Sequence, residues 1–140
     1  DADVFVDLGA GLGKVVMLVH LLTGVRARGI EIDAALVERA NRASASIDLR
    51  DVGFTRGDAR TASLADGTIF FLYLPFTGDV LATVLDRLRS RARERPIVVC
   101  TLGLDLRTKW LVPRVSESFW LTIYDSIIDD ERGAGPSRLL

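Results

Sequence analysis

Three carboxylates and a run of glycines carry the chemistry this sequence offers. The stretch Val4-Phe5-Val6-Asp7-Leu8-Gly9-Ala10-Gly11-Leu12-Gly13-Lys14 takes an apolar strand into an acid, then sets glycine at every second position before a helix. Glycine has no Cβ, so such a turn reaches backbone angles closed to other residues and lets a ligand approach the main chain. A dinucleotide-binding turn is spaced G-x-G-x-x-G, and Lys14 occupies the place of its last glycine. Asp7, two residues before Gly9, repels a pyrophosphate and suits a cationic ligand. Glu31 falls 22 residues after Gly9, at the end of the second expected strand, where an acid accepts hydrogen bonds from ribose hydroxyls. Gly57-Asp58-Ala59 adds a third acid in a turn after the third expected strand.

These residues need a frame, and the hydrophobic pattern supplies one. Strands are expected at 4–7, 27–32, 52–56, 68–74 and 97–102, with helices at 13–22, after Asp33, and after Thr77. Strands alternating with helices require a doubly wound, mostly parallel twisted sheet with helices on both faces, an α/β fold. The 68–74 run is almost continuously apolar and belongs at the centre of the sheet, whereas the mixed run 52–56 belongs near an edge. Tyr73-Leu74-Pro75-Phe76 then lies beside the first strand, at the point where the strand order reverses and open sheets bind ligands.

The helix at 13–22 is apolar nearly all round, which predicts burial on several sides, and Gly24 ends it. Asp33 and Thr77 are expected helix caps. Leu36, Ala40, Ala43 and Ile47 on the second helix, and Leu81, Val84, Leu85, Leu88 and Ala92 on the third, are expected to face the sheet. His20 sits in a last helical turn as a structural residue, and Lys14 reads as a solvated charge. Arginines 87, 89, 91, 93 and 95 read as a solvated surface. A short helix is expected at 105–111, a sixth strand at 119–128 and a polar turn at 129–137.

With 140 residues the chain fits one domain, 1–140, able to bury about two-thirds of its unfolded surface. A formal net charge of −1 with 26% charged residues argues against a disordered chain and against a basic polyanion-binding module. The single Cys100 forms no internal disulfide and is read as a small hydrophobe, no metal-ligand cluster is present, and no run has the length of a membrane span. A cytoplasmic location without membrane partners is the expectation. Because the chain starts at Asp1, just before its first strand, and ends soon after its sixth, an excised piece truncated at both ends is expected.

The segment Asp7-Leu8-Gly9-Ala10-Gly11-Leu12-Gly13-Lys14 resembles motif I of the class I S-adenosylmethionine (SAM) dependent methyltransferases. The resemblance extends over all 140 residues through Glu31 and Asp58, and it implies SAM as cofactor and S-adenosylhomocysteine as product. It implies that Asp7 orients the methionyl ammonium and that Gly9, Ala10 and Gly11 offer backbone to the cofactor. Glu31 would hold the ribose, and Ile32, Asp58 and Ala59 would bracket the adenine, with Asp58 accepting from its amino group. The family's motif IV falls at 73–76: Leu74 takes the cofactor-side position usually held by an acid or amide in enzymes that methylate base amines. Tyr73, Pro75 and Phe76 line the substrate side. Val-Phe-Val-Asp-Leu-Gly and the aromatic fourth strand look most like the Dot1-type protein-lysine branch, which implies a protein lysine as one acceptor and a protein or small molecule in preference to nucleic acid. No catalytic base is named by the pattern. Two other readings stand beside it: a Rossmann-type NAD-dependent oxidoreductase and a non-catalytic SAM-binding domain.

Overall fold

The computed structural model describes residues 2–73 and 76–127. The chain runs β1 (Val4–Leu8), α1 (Lys14–Thr23), β2 (Arg26–Glu31), α2 (Ala34–Ser46), β3 (Val52–Arg56), β4 (Ile69–Tyr73), α3 (Gly78–Glu94), β5 (Val98–Leu102), β6 (Leu111–Pro113) and β7 (Leu121–Ser126). All seven strands join one sheet in the order β3-β2-β1-β4-β5-β7-β6, parallel except for β7, which runs antiparallel to β5 and β6. β4 is therefore central and β3 is an edge, as their compositions predict. The register sets Asp7 opposite Gly29 on one side and Phe71 on the other, at the carboxyl end of the strand pair where the order reverses.

Two apolar layers hold the sheet. On one face, Val16 of α1 and Ala40 of α2 pack with Phe5, Ala27, Phe54 and Phe71. On the other, Val84, Leu88 and Ala92 of α3 pack with Val6, Leu8, Phe70, Leu72 and Val99. Side chains this completely buried contribute about 1.5–3 kcal/mol each relative to exposure. Thr68 pins β1 to β4: its hydroxyl accepts from the Val4 N–H and donates to Asp3. No helix among the described residues is long and apolar enough to cross a membrane.

Several expectations give way to tertiary packing. In α1 only Val16 is buried, and Leu18, Leu21 and Leu22 are exposed, because the helix meets the sheet along a single strip and no described element covers its outer side. In α2 the buried positions are Ala40 and Ser44, with Val37 beside them, while Ala43 and Ile47 are exposed. Asn41 sets that rotation: its amide donates to the Phe54 carbonyl and accepts from the Phe54 N–H, pairing backbone of the sheet's edge strand. Asp33 caps α2 as expected, accepting from the N–H groups of Ala35 and Leu36, whereas the Thr77 side chain makes no cap bond on α3.

The 105–111 segment is not a helix. Gly103 turns the chain in the left-handed region (φ 68°), the Leu106 N–H donates to the Tyr124 hydroxyl, and Leu106, Trp110 and Leu111 are buried one by one beside β7. Leu111–Pro113 is a strand instead, so the segment expected as the sixth strand is the seventh, β7, inserted antiparallel between β5 and β6. Arg87 is not a solvated charge either, as the site makes clear. The 129–137 turn falls outside the described residues.

Candidate cofactor site

The β1–α1 turn takes its shape from left-handed backbone at Gly9, Gly11 and Gly13 (φ 95°, 56° and 77°). At Gly11 only the backbone angle demands glycine, since a Cβ there would meet nothing; at Gly13 a Cβ would overlap the Phe54 ring. Gly13 therefore serves packing as much as turning. The N–H groups of Gly9 and Ala10 both donate to the Ile30 carbonyl (2.8 and 3.0 Å), that of Gly11 to Glu31 Oε2 (2.8 Å) and that of Gly13 to the Ala10 carbonyl (2.8 Å). Four donors that would cradle a phosphate in a dinucleotide turn are thus committed to the protein. This counts against the nicotinamide reading.

Each acid occupies a different environment. Glu31 ties the turn to the start of α2, Oε2 accepting from Gly11 and Oε1 from the Asp33 N–H (3.1 Å). A carboxylate has about four acceptor positions, so Glu31 keeps two for a ligand. Asp58 begins a turn in which the N–H groups of Thr61 and Ala62 donate to its carbonyl (2.9 and 2.7 Å). That turn is held from α3 by Arg87, whose guanidinium donates to the carbonyls of Ala59 (2.7 Å) and Ala62 (2.5 Å). Asp7 is only 3% exposed, and its carboxylate accepts no hydrogen bond from a described residue. Burial, and secondarily the charge of Glu31, pushes its pKa up to about 7. A buried acid with no donor is costly unless a cation or donor reaches it.

Between Glu31 and Asp58 lies a cavity of about 300 Å³, the small end of the range for ligand sites. Gly9, Ile30, Glu31 and Ile32 form one wall, Gly57, Asp58, Ala59 and Arg60 another, and Phe76 with Val80 closes the side toward α3.

A search of solved structures finds an RNA methyltransferase from Salinibacter ruber, in complex with S-adenosyl-L-homocysteine, that is 32% identical, with a TM-score of 0.69 over 92% of this chain and 82% of that one. The chain belongs to the class I SAM-dependent methyltransferases. The PH0226 protein from Pyrococcus horikoshii (16% identity, TM-score 0.69, covering 91% and 83% of the two chains) shares the fold. So does the putative methyltransferase yhhF from Escherichia coli (20%, 0.67, covering 88% and 75%). No protein-family model and no curated protein matches the sequence.

In this methyltransferase the cavity brings together Gly9, Glu31, Ile32, Asp58 and Ala59 of the residues expected to hold cofactor, together with Phe76, expected on the substrate side. Asp7, Ala10 and Gly11, in β1 and its turn, do not line it, nor does Tyr73, half exposed at the end of β4. Leu74 and Pro75 lie outside the described residues. Arg60, Val80 and Phe54 have no assigned part in the site from sequence, and Arg87 reads there as a solvated charge. Only Arg60, two residues from an expected site acid, left a local signal; the others arrive through contacts between distant segments. Cys100 keeps its proton, since burial pushes the thiol up to about 11. Among the described residues no group of three or more His, Cys, Asp and Glu is placed to hold a metal ion.

Proposed function

We propose that the chain binds SAM at the carboxyl ends of β1, β2 and β3 and methylates an acceptor presented at the neighbouring ends of β4, β5 and β7. The observation that carries this reading is Asp7, a buried acid that accepts no hydrogen bond from a described residue, beside a turn whose own N–H groups are all but spoken for. A cationic ammonium supplies what Asp7 lacks, and a phosphate does not. The two free acceptor positions on Glu31 suit a pair of ribose hydroxyls, and the Ile32, Asp58 and Ala59 wall suits a flat purine with a donor at its edge. When bound, SAM supplies a methyl group on a sulfonium, activated for in-line displacement. The chain's part is alignment and exclusion of water, which supply much of the rate in such a transfer.

The acceptor side has a different character. All three well-exposed aromatics among the described residues, Tyr73 (50%), Phe119 (89%) and Trp120 (66%), stand at the carboxyl edge of the sheet, since Tyr73, Leu102 and Leu121 are in register across β4, β5 and β7. Two strand spacings, about 10 Å, separate β4 from β7. An apolar edge of this kind favours a protein or small-molecule acceptor over an RNA strand, whose binding rests on Lys and Arg at phosphates. The Dot1-type likeness makes a protein lysine the first acceptor to test. Incubation with tritiated SAM and cell extract should give label released by protease or extracted into organic solvent; label released by ribonuclease would overturn the acceptor assignment.

A further inference from the structure

Asp58 is held by its own neighbour in an unusually complete way. Its Oδ1 accepts from the Arg60 backbone N–H (2.8 Å) and from Arg60 Nε (3.0 Å), and its Oδ2 accepts from Arg60 Nη2 (2.6 Å) while sharing Nε (3.0 Å). Both residues line the cavity, and the Arg60 side chain is half exposed within it. A half-exposed ion pair two residues apart in sequence contributes little to stability, so its geometry needs another use. Three of the roughly four acceptor positions of the carboxylate are taken by three donors of one residue. The acceptor position left over belongs to Oδ2, and the forked guanidinium stops the carboxylate from rotating.

We propose that Arg60 is a positioning residue that locks Asp58 as a single, fixed hydrogen-bond acceptor and thereby makes the site select a 6-aminopurine nucleoside over its 6-oxo counterpart. The inference rests on the SAM-binding reading. A 6-amino group donates to the remaining lone pair of Oδ2, whereas a 6-oxo group sets oxygen against oxygen. A carboxyl able to gain a proton or swing aside would tolerate both, and Arg60 prevents each: its hydrogen bonds hold the Asp58 carboxyl down at about 2, and its fork fixes the orientation. Arg87 supports the same end by anchoring the carbonyls on either side of the turn.

The test compares calorimetric affinities for S-adenosylhomocysteine and S-inosylhomocysteine in the wild type, Arg60→Ala, Arg60→Lys and Asp58→Asn. The wild type should prefer the adenosine compound by about 30-fold or more, the discrimination available to a site built around one polar contact. Arg60→Ala should shrink the preference to about threefold, with Arg60→Lys between, because a point charge cannot reproduce the fork. Asp58→Asn, whose amide can donate to a 6-oxo group, should bring the ratio near one or invert it. A merely structural Arg60 would weaken both compounds by one common factor and leave the ratio intact, which would overturn the proposal, as would a wild type without preference. A wild type that binds neither nucleoside would instead refute the cofactor reading beneath it.

Discussion

The two halves of the sheet's carboxyl edge, divided at β1 and β4, are built on opposite plans. On the β1–β2–β3 side polar groups converge and most of them are already fixed by the protein: Glu31 by two backbone N–H groups, Asp58 by Arg60, and the 58–62 turn by Arg87. On the β4–β5–β7 side the edge is apolar and exposed, with Tyr73, Phe119 and Trp120 along it. Organisation in advance of binding lowers the cost of ordering. The contrast therefore assigns the fixed half to a ligand of constant structure and leaves recognition of the acceptor to surface area and shape.

The contrast breaks most visibly at Glu31. Glu31→Ala removes the proposed ribose acceptor and leaves the Gly11 and Asp33 N–H groups without their partner, so affinity for S-adenosylhomocysteine should fall about 100-fold or more; calorimetry checks it. Asp7 gives the next effect and one with two signs. Its folded pKa of about 7 lies above the unfolded 3.8, so the neutral form is favoured in the fold and stability is lost as pH rises from about 4 through 7. At about 1.4 kcal/mol per pKa unit, Asp7→Asn should be more stable than wild type at pH 8 by up to about 4 kcal/mol in urea titrations, while binding the nucleoside poorly. Wild-type affinity should rise with pH through about 7 and then level off, because the ligand ammonium favours ionised Asp7; in Asp7→Asn this dependence should vanish. Phe119→Ser with Trp120→Ser should sharpen the contrast from the other side, lowering methyl transfer about tenfold through KM for the acceptor while leaving nucleoside affinity unchanged. The smallest effect belongs to Arg114→Ala, whose half-exposed ion pair with Asp125 should be worth about 1 kcal/mol or less in thermal melts.

The fixed half was also the legible half. Asp7, the glycine turn, Glu31 and Asp58 announce themselves because strand ends, turns and spacing are local properties, and the sheet order follows from alternation with one reversal. What escaped depends on contacts between distant segments. The face of α2 is set by Asn41 reaching the edge strand, and Gly13 is required by a ring forty-one positions away at Phe54. The charge pattern of α3 reads as solvent-facing until Arg87 is seen holding carbonyls of another segment. Likewise 105–111 has helical spacing but gives its Leu106 N–H to Tyr124 and its apolar side chains to the sheet. Local propensity is a weak prior wherever such long-range bonds are available.

Calorimetric titration of the purified chain with S-adenosylhomocysteine, beside NADH and repeated on Asp7→Ala and Glu31→Ala, tests the cofactor assignment most directly. The account predicts roughly micromolar binding of the nucleoside, greatly weakened in both variants, and no binding of NADH. Binding of NADH, or nucleoside affinity that both substitutions leave untouched, would contradict it.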